Sequence, residues 1–141
     1  MGVAPAGPAF GDPDGSTPRV LMAEDESDIA LLVAETLEDA GFRVTWASDG
    51  AKALDEAGQA PFDALLTDVR MPNLDGVGLV RAVMANRPSL PVVVLSGYMT
   101  AGDRAALLSL GVPEERMLEK PIALSRVCEA LRSALGQPGT C

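Results

Sequence analysis

Among the residues that interrupt the apolar runs of this chain, five carry groups suited to acid, metal or phosphate chemistry: Glu24 and Asp25 after "RVLMA", Asp68 after "DALLT", Ser96 after "PVVVL" and Lys120 after "RMLE". Carboxylates brought together repel, so either their proton affinities rise or a cation neutralises them. The chain has no histidine, and Cys128 and Cys141 stand in no CxxC or zinc-like spacing. Neither a disulfide framework nor a zinc or haem site is expected, and oxygen is the donor type on offer. Mg²⁺ is the natural cation for such a set, since it accepts one or two carboxylates, a backbone carbonyl and several waters. The open positions of that shell suit phosphoryl oxygens, which joins a metal to a carboxylate nucleophile as in phosphoryl transfer. Lys120 then brings positive charge to the phosphoryl group, and the Ser96 hydroxyl a neutral donor.

Taken singly, each residue has an ordinary reading. Asp25 and Asp28 suit the first turn of a helix, where the dipole favours an acid. Asp75-Gly76 is a turn signal more than a chemical group. Ser96-Gly97 is an ordinary strand exit and Lys120 an ordinary surface lysine. Only a shared edge favours chemistry, and that depends on the elements that carry the residues.

Short apolar runs alternate with amphipathic segments, the rhythm of a parallel sheet covered by helices on both faces. Strands are predicted at 19–23, 43–46, 63–67, 91–95 and in "RMLE". The first helix starts with Ser27 or Asp28 as its cap, repeats Ile29, Leu32, Val33, Leu37 and Ala40 at helical spacing, and ends at Gly41. Further helices are predicted from about Gly50 to Ala57, over 76–86 with Pro88 past its exit, over 101–110 and over 122–135. The last of these points Leu124, Val127, Cys128, Leu131 and Leu135 inward. The fold class is therefore α/β, a doubly wound five-stranded parallel sheet with five helices. In the order 2-1-3-4-5, ligands bind where the winding reverses, at the carboxyl ends of strands 1 and 3. That order, taken from fold-level analogy, brings Glu24, Asp25 and Asp68 to one crevice.

The 141 residues, 48% of them hydrophobic, fit one domain with a sizeable core. Residues 1–18, rich in Gly, Pro and Ala, read as a flexible leader, 19–135 as the domain and 136–141 as a short tail. Eleven basic against twenty acidic residues give a net charge of −9. That balance speaks against binding nucleic acid or anionic membrane and favours basic partners or a metal cation. No apolar run approaches a membrane span and no signal peptide opens the chain, so a cytoplasmic protein is expected.

Other phosphate chemistries fail on specific positions. A haloacid-dehalogenase-type phosphatase needs a second aspartate two residues past the first, and that position is Arg70. No G-x-x-x-x-G-K-[ST] loop exists. "GVGLVR", 76–81, has Arg81 where a dinucleotide fingerprint has its third glycine, so its glycines read as helix entry.

The pattern resembles the receiver domain of two-component response regulators, the CheY-like superfamily, over about residues 19–135. "ED" follows strand 1, "DVRMPNLDG" strand 3, "SG" strand 4 and "KP" strand 5. One such match is weak; four in order are specific. The resemblance implies a flavodoxin-like fold in which Asp68 accepts a phosphoryl group from a phosphohistidine on a sensor histidine kinase or histidine phosphotransfer protein. It implies Mg²⁺ held by Asp25, Asp68 and the backbone carbonyl of Arg70, with Glu24 acting chiefly through water. Ser96 and Lys120 contact the phosphoryl oxygens, and the Lys120-Pro121 bond is cis. Three departures stand out. Glu24 replaces the commoner Asp, and Met117 stands where the family usually has the Tyr or Phe that turns inward, filling the gap without ring or hydroxyl. Arg70 and Tyr98, each two residues beyond a site residue, are large and are expected to screen the acyl phosphate from water.

After the last helix only "GQPGTC" remains, so no DNA-binding output domain is expected. The expected protein is a signalling domain that promotes only its own phosphorylation and dephosphorylation and acts through contacts with a downstream protein. The fourth helix, fifth strand and fifth helix are the responsive surface and the face for a homodimer. Two further readings are a receiver belonging to a hybrid sensor kinase and a phosphorylation-independent interaction module, the latter favoured only by Met117.

Overall fold

A computed structural model describes residues 17–121 and 123–137. The expectations for the leader and the tail fall largely outside these residues. The elements run β1 (Arg19–Ala23), α1 (Ser27–Asp39), β2 (Arg43–Ala47), α2 (Gly50–Gln59), β3 (Ala64–Thr67), α3 (Gly76–Asn86), β4 (Val92–Ser96), α4 (Ala101–Ser109), a 3₁₀ turn (Glu114–Arg116), β5 (Met117–Glu119) and α5 (Leu124–Ala134). All pairings are parallel and the sheet order is β2-β1-β3-β4-β5, as anticipated.

Alternation along the strands sorts the core into two layers. Leu21, Leu65, Val92 and Val94 pack with Ala53, Leu79, Val80 and Leu107 on one face. Val20, Met22, Leu66, Val93 and Leu95 pack with Val33, Leu37, Val127 and Leu131 on the other. Each such aliphatic side chain stabilises the fold by about 1.5–3 kcal/mol when fully buried, which is why the central strands read as continuous apolar runs.

Several local expectations are corrected. Neither Ser27 nor Asp28 caps α1: Glu26 holds the cap position and no side-chain cap bond forms. Leu32, counted toward the core by its spacing, is exposed on α1, as is Leu31. Helix α2 runs to Gln59, two residues past its predicted end. Asp63 stays outside β3, where its Oδ2 accepts the Arg19 N–H at 2.7 Å. Ser96 is the last residue of β4, opposite Glu119, rather than a residue after the strand. Gly41 does end the first helix, at φ +99°, with the Phe42 N–H bonding back to the Leu37 carbonyl at 3.0 Å. Asp75 is a helix cap, accepting from the Gly78 N–H at 2.8 Å. Cys128, fully buried on α5, is disulfide-bonded, where the cysteine spacing had given no reason to expect a disulfide framework.

Candidate functional site

Backbone pairing delivers the chemical residues. The ladder continues one step beyond the strands: Glu24 N–H donates to the Ala47 carbonyl at 3.1 Å, Asp68 N–H to the Ala23 carbonyl at 3.0 Å and Lys120 N–H to the Ser96 carbonyl at 2.9 Å. Glu24, Asp68 and Lys120 thus leave the same sheet edge in register. Oxygens of Glu24, Asp25 and Asp68 lie within 4.8 Å of one another. Glu24 and Asp68 are buried and Asp25 is exposed.

Lys120 closes the cluster. Its Nζ sits 2.8 Å from Glu24 Oε1, 3.0 Å from Asp68 Oδ2 and 3.5 Å from Glu26 Oε1. Burial works against the ammonium, but the hydrogen bonds it donates to Glu24 and Asp68 outweigh it and hold the Lys120 pKa up at about 12. Burial is also the main influence on Glu24, whose carboxyl is raised above its ordinary value even though Lys120 and the Glu26 N–H draw it down. One fixed ammonium therefore faces three close carboxylates, an excess of negative charge that a divalent cation fits. An all-oxygen donor set with one solvent-facing carboxylate suits Mg²⁺.

Asp68 is held rigidly. Its Oδ1 accepts the Val69 N–H at 2.6 Å and the Arg70 N–H at 3.2 Å, which leaves Oδ2 turned to Lys120. The loop behind it is packed without slack: a Cβ on Gly76 would lie 2.0 Å from the Asp68 carbonyl oxygen. Asn73, at φ +71°, turns the same loop and donates from Nδ2 to Asp49 Oδ2 at 3.0 Å. Asp49 in turn caps α2 through the Lys52 N–H. Ser96, fully buried, donates its hydroxyl to the Tyr98 carbonyl at 3.0 Å. The Lys120-Pro121 bond is cis. Met117 is buried, with Arg104 Nη1 3.9 Å from its sulfur.

Arg70 and Tyr98, expected from the sequence to form a screen together, are in contact, the guanidinium 5.4 Å from the ring centroid. Sequence reasoning missed their third partner. Asp103, at the start of α4, pairs with Arg70 Nη2 at 2.6 Å while exchanging capping bonds with Thr100. A separation of 33 residues left no local signal for that pair. Glu26 was also missed, although it directly follows the acid pair. The Thr100 backbone bond, helped by the Arg70 charge and opposed by burial, holds the Asp103 carboxyl below its usual range. A depressed carboxyl stabilises the fold fully above its unfolded pKa, ordinarily 3.8, and the contribution disappears as pH falls through the lower folded value. In urea titrations across the acid range, Asp103→Asn will cost about 1 kcal/mol at neutral pH and flatten part of the acid-side loss. A wild-type acid slope in that variant would refute the assignment.

Residues 20–132 match the family model described as the response regulator receiver domain. The chain is 38% identical over 124 residues, 88% of its length and 52% of the relative's, to the transcriptional regulatory protein PrrA of Mycobacterium leprae (strain TN). It spans about half the length of the first curated relatives it matches. Among solved structures it is similar to the chemotaxis protein CheY4 of Vibrio cholerae, with a TM-score of 0.78, 30% identity and coverage of 85% of this chain and 100% of that one. The receiver domain of sensor histidine kinase PA1611 from Pseudomonas aeruginosa PAO1 matches with a TM-score of 0.75, 29% identity and coverage of 86% and 100%. That domain holds a magnesium ion coordinated in its active-site cleft. Among the described residues, no helix is long and apolar enough to cross a membrane.

Proposed function

Because the chain belongs to the response regulator receiver domain family, a signalling family of two-component systems, we propose that Asp68 is its phosphoacceptor. The observation that carries the reading is the Lys120 ammonium bound to both Glu24 and Asp68 beside a third carboxylate. In the proposed step, an Asp68 carboxylate oxygen attacks the phosphorus of a phosphohistidine. The P–N bond breaks, its electron pair stays on the imidazole, and an acyl phosphate forms. Asp25 and Asp68 would hold Mg²⁺ with the Arg70 carbonyl as a further oxygen, and Glu24 would act through water. The ion, when bound, neutralises charge on the phosphoryl oxygens.

The remaining residues act on that group from this chain. Lys120 supplies charge to the phosphoryl oxygens. Ser96 donates its proton to them instead of to the Tyr98 carbonyl, and the loop from 97 to 100 is thereby freed to move toward the site. That exchange is a population shift between two packings of the α4 and β5 face, with Met117 filling the gap behind it. Arg70 and Tyr98, already in contact, screen the acyl phosphate from water. The partners on this reading are a sensor histidine kinase or phosphotransfer protein upstream and a downstream protein bound, or a homodimer formed, through α4, β5 and α5. Similarity to the receiver of a sensor kinase supports a second reading, a receiver within a hybrid kinase, which uses the same site chemistry.

The test is incubation with a small-molecule phosphodonor and Mg²⁺ followed by intact-mass analysis. One acid-stable, base-labile phosphoryl group is expected on the wild-type chain, none on Asp68→Asn, and faster decay of the label on the Arg70→Ala, Tyr98→Ala double variant. No modification of the wild type would leave a phosphorylation-independent interaction module as the better reading.

A further inference from the structure

Trp46, the chain's one tryptophan, lies on the edge strand β2 with 40% of its surface exposed. Its indole N–H nevertheless donates inward, to the backbone carbonyl of Glu24 at 2.8 Å. The next residue along β2 holds the other end of the same amino acid: the Ala47 carbonyl accepts the Glu24 N–H at 3.1 Å. Glu24 is thus gripped by its backbone at both sides. Its carboxylate is separately spanned by Lys120 on Oε1 and the Glu26 N–H on Oε2.

The Glu24 carbonyl belongs to the peptide that leads into Asp25. Rotation of that peptide would swing the carboxylate of Asp25, an exposed residue. A donor fixed on β2 prevents the rotation. We infer that Trp46 is a positioning residue for the acidic pair: through the Glu24 carbonyl it sets the aim of Asp25, and so tunes the affinity of the carboxylate cluster for a divalent cation. This rests on the metal-binding reading above. Groups that act through ligands in this way orient a metal site without touching the ion.

Three chains decide it. Trp46→Phe keeps a ring on the strand and removes only the donor. Thr45→Ala, at the exposed neighbouring position, perturbs β2 without touching Glu24. Calorimetric titration with Mg²⁺ alone should give an affinity about fivefold weaker for Trp46→Phe than for the wild type, the size of one lost hydrogen bond, and an unchanged affinity for Thr45→Ala. In the wild-type protein the indole emission should change saturably with the midpoint found by calorimetry. Equal affinity in Trp46→Phe and wild type, or an equal loss in Thr45→Ala, would overturn the inference. Absence of any Mg²⁺ binding by the wild type would sink the metal-assisted phosphoacceptor reading, and this inference with it.

Discussion

A Lys120→Met chain is expected to lose about 3 kcal/mol of stability in the absence of divalent metal, and to accept phosphoryl groups from a small-molecule donor about a hundredfold more slowly. The stability loss follows from what the substitution leaves behind. Glu24 and Asp68, 3% and 5% exposed, would keep their mutual repulsion and lose the ammonium that each contacts within 3.0 Å. Breaking a buried pair by removing one partner costs about 3–5 kcal/mol, and the low end applies because Asp25 opens the cluster to water. Mg²⁺ should restore more stability to the variant than it adds to the wild type, since the acids no longer share their charge with a lysine. Urea unfolding in chelator and in saturating Mg²⁺ measures both effects. A wild-type midpoint in chelator would show that the lysine does not balance the acids.

Gly76→Ala should be nearly as severe for a different reason. The new methyl would stand 2.0 Å from the Asp68 carbonyl oxygen and 2.9 Å from the Val69 Cα, both backbone atoms that have no rotamer into which to withdraw. The cost is about 2–3 kcal/mol from overpacking, and the displaced peptide carries the proposed nucleophile. Phosphorylation should therefore slow along with the loss of stability. Gly58→Ala is the comparison: nothing lies within 4 Å of its Cβ position on α2, so it should be neutral or stabilise by up to about 1 kcal/mol. If both substitutions behave alike in thermal unfolding, the close approach at Gly76 has no energetic weight.

The two cases mark what the sequence could and could not reveal. Asp68 and Lys120 were legible because each ends an apolar strand, and parallel strands in the order 2-1-3-4-5 have their carboxyl ends at one edge. Residue type and topology together brought them to the same crevice, as the pairing confirms. Gly76 was read as helix entry, which it is, but its close contact with Asp68 depends on how the loop folds back and leaves no trace in periodicity. Asp103 and Arg70 meet through the same kind of loop return. Leu32 shows the opposite failure: its spacing is helical and apolar, yet α1 buries only Ala30, Val33 and Leu37 on that face, because the covering stripe is narrower than the apolar pattern. Trp46 gave no signal, since its donor acts on a backbone carbonyl 22 residues earlier.

The reach of Lys120 also sets an order of assembly. Its partners lie 96 and 52 residues earlier in the chain, and it directly follows β5, the last of this sheet's five strands in chain order. A chain in which β5 has not yet joined the sheet would hold the three acids with no lysine to balance them, and such non-local pairings are slow to form. The final strand therefore completes the charge set at the moment it completes the sheet. An unfinished sheet thus carries its acids without their counter-charge, and the charge balance of the cluster reports that the fifth strand is in place.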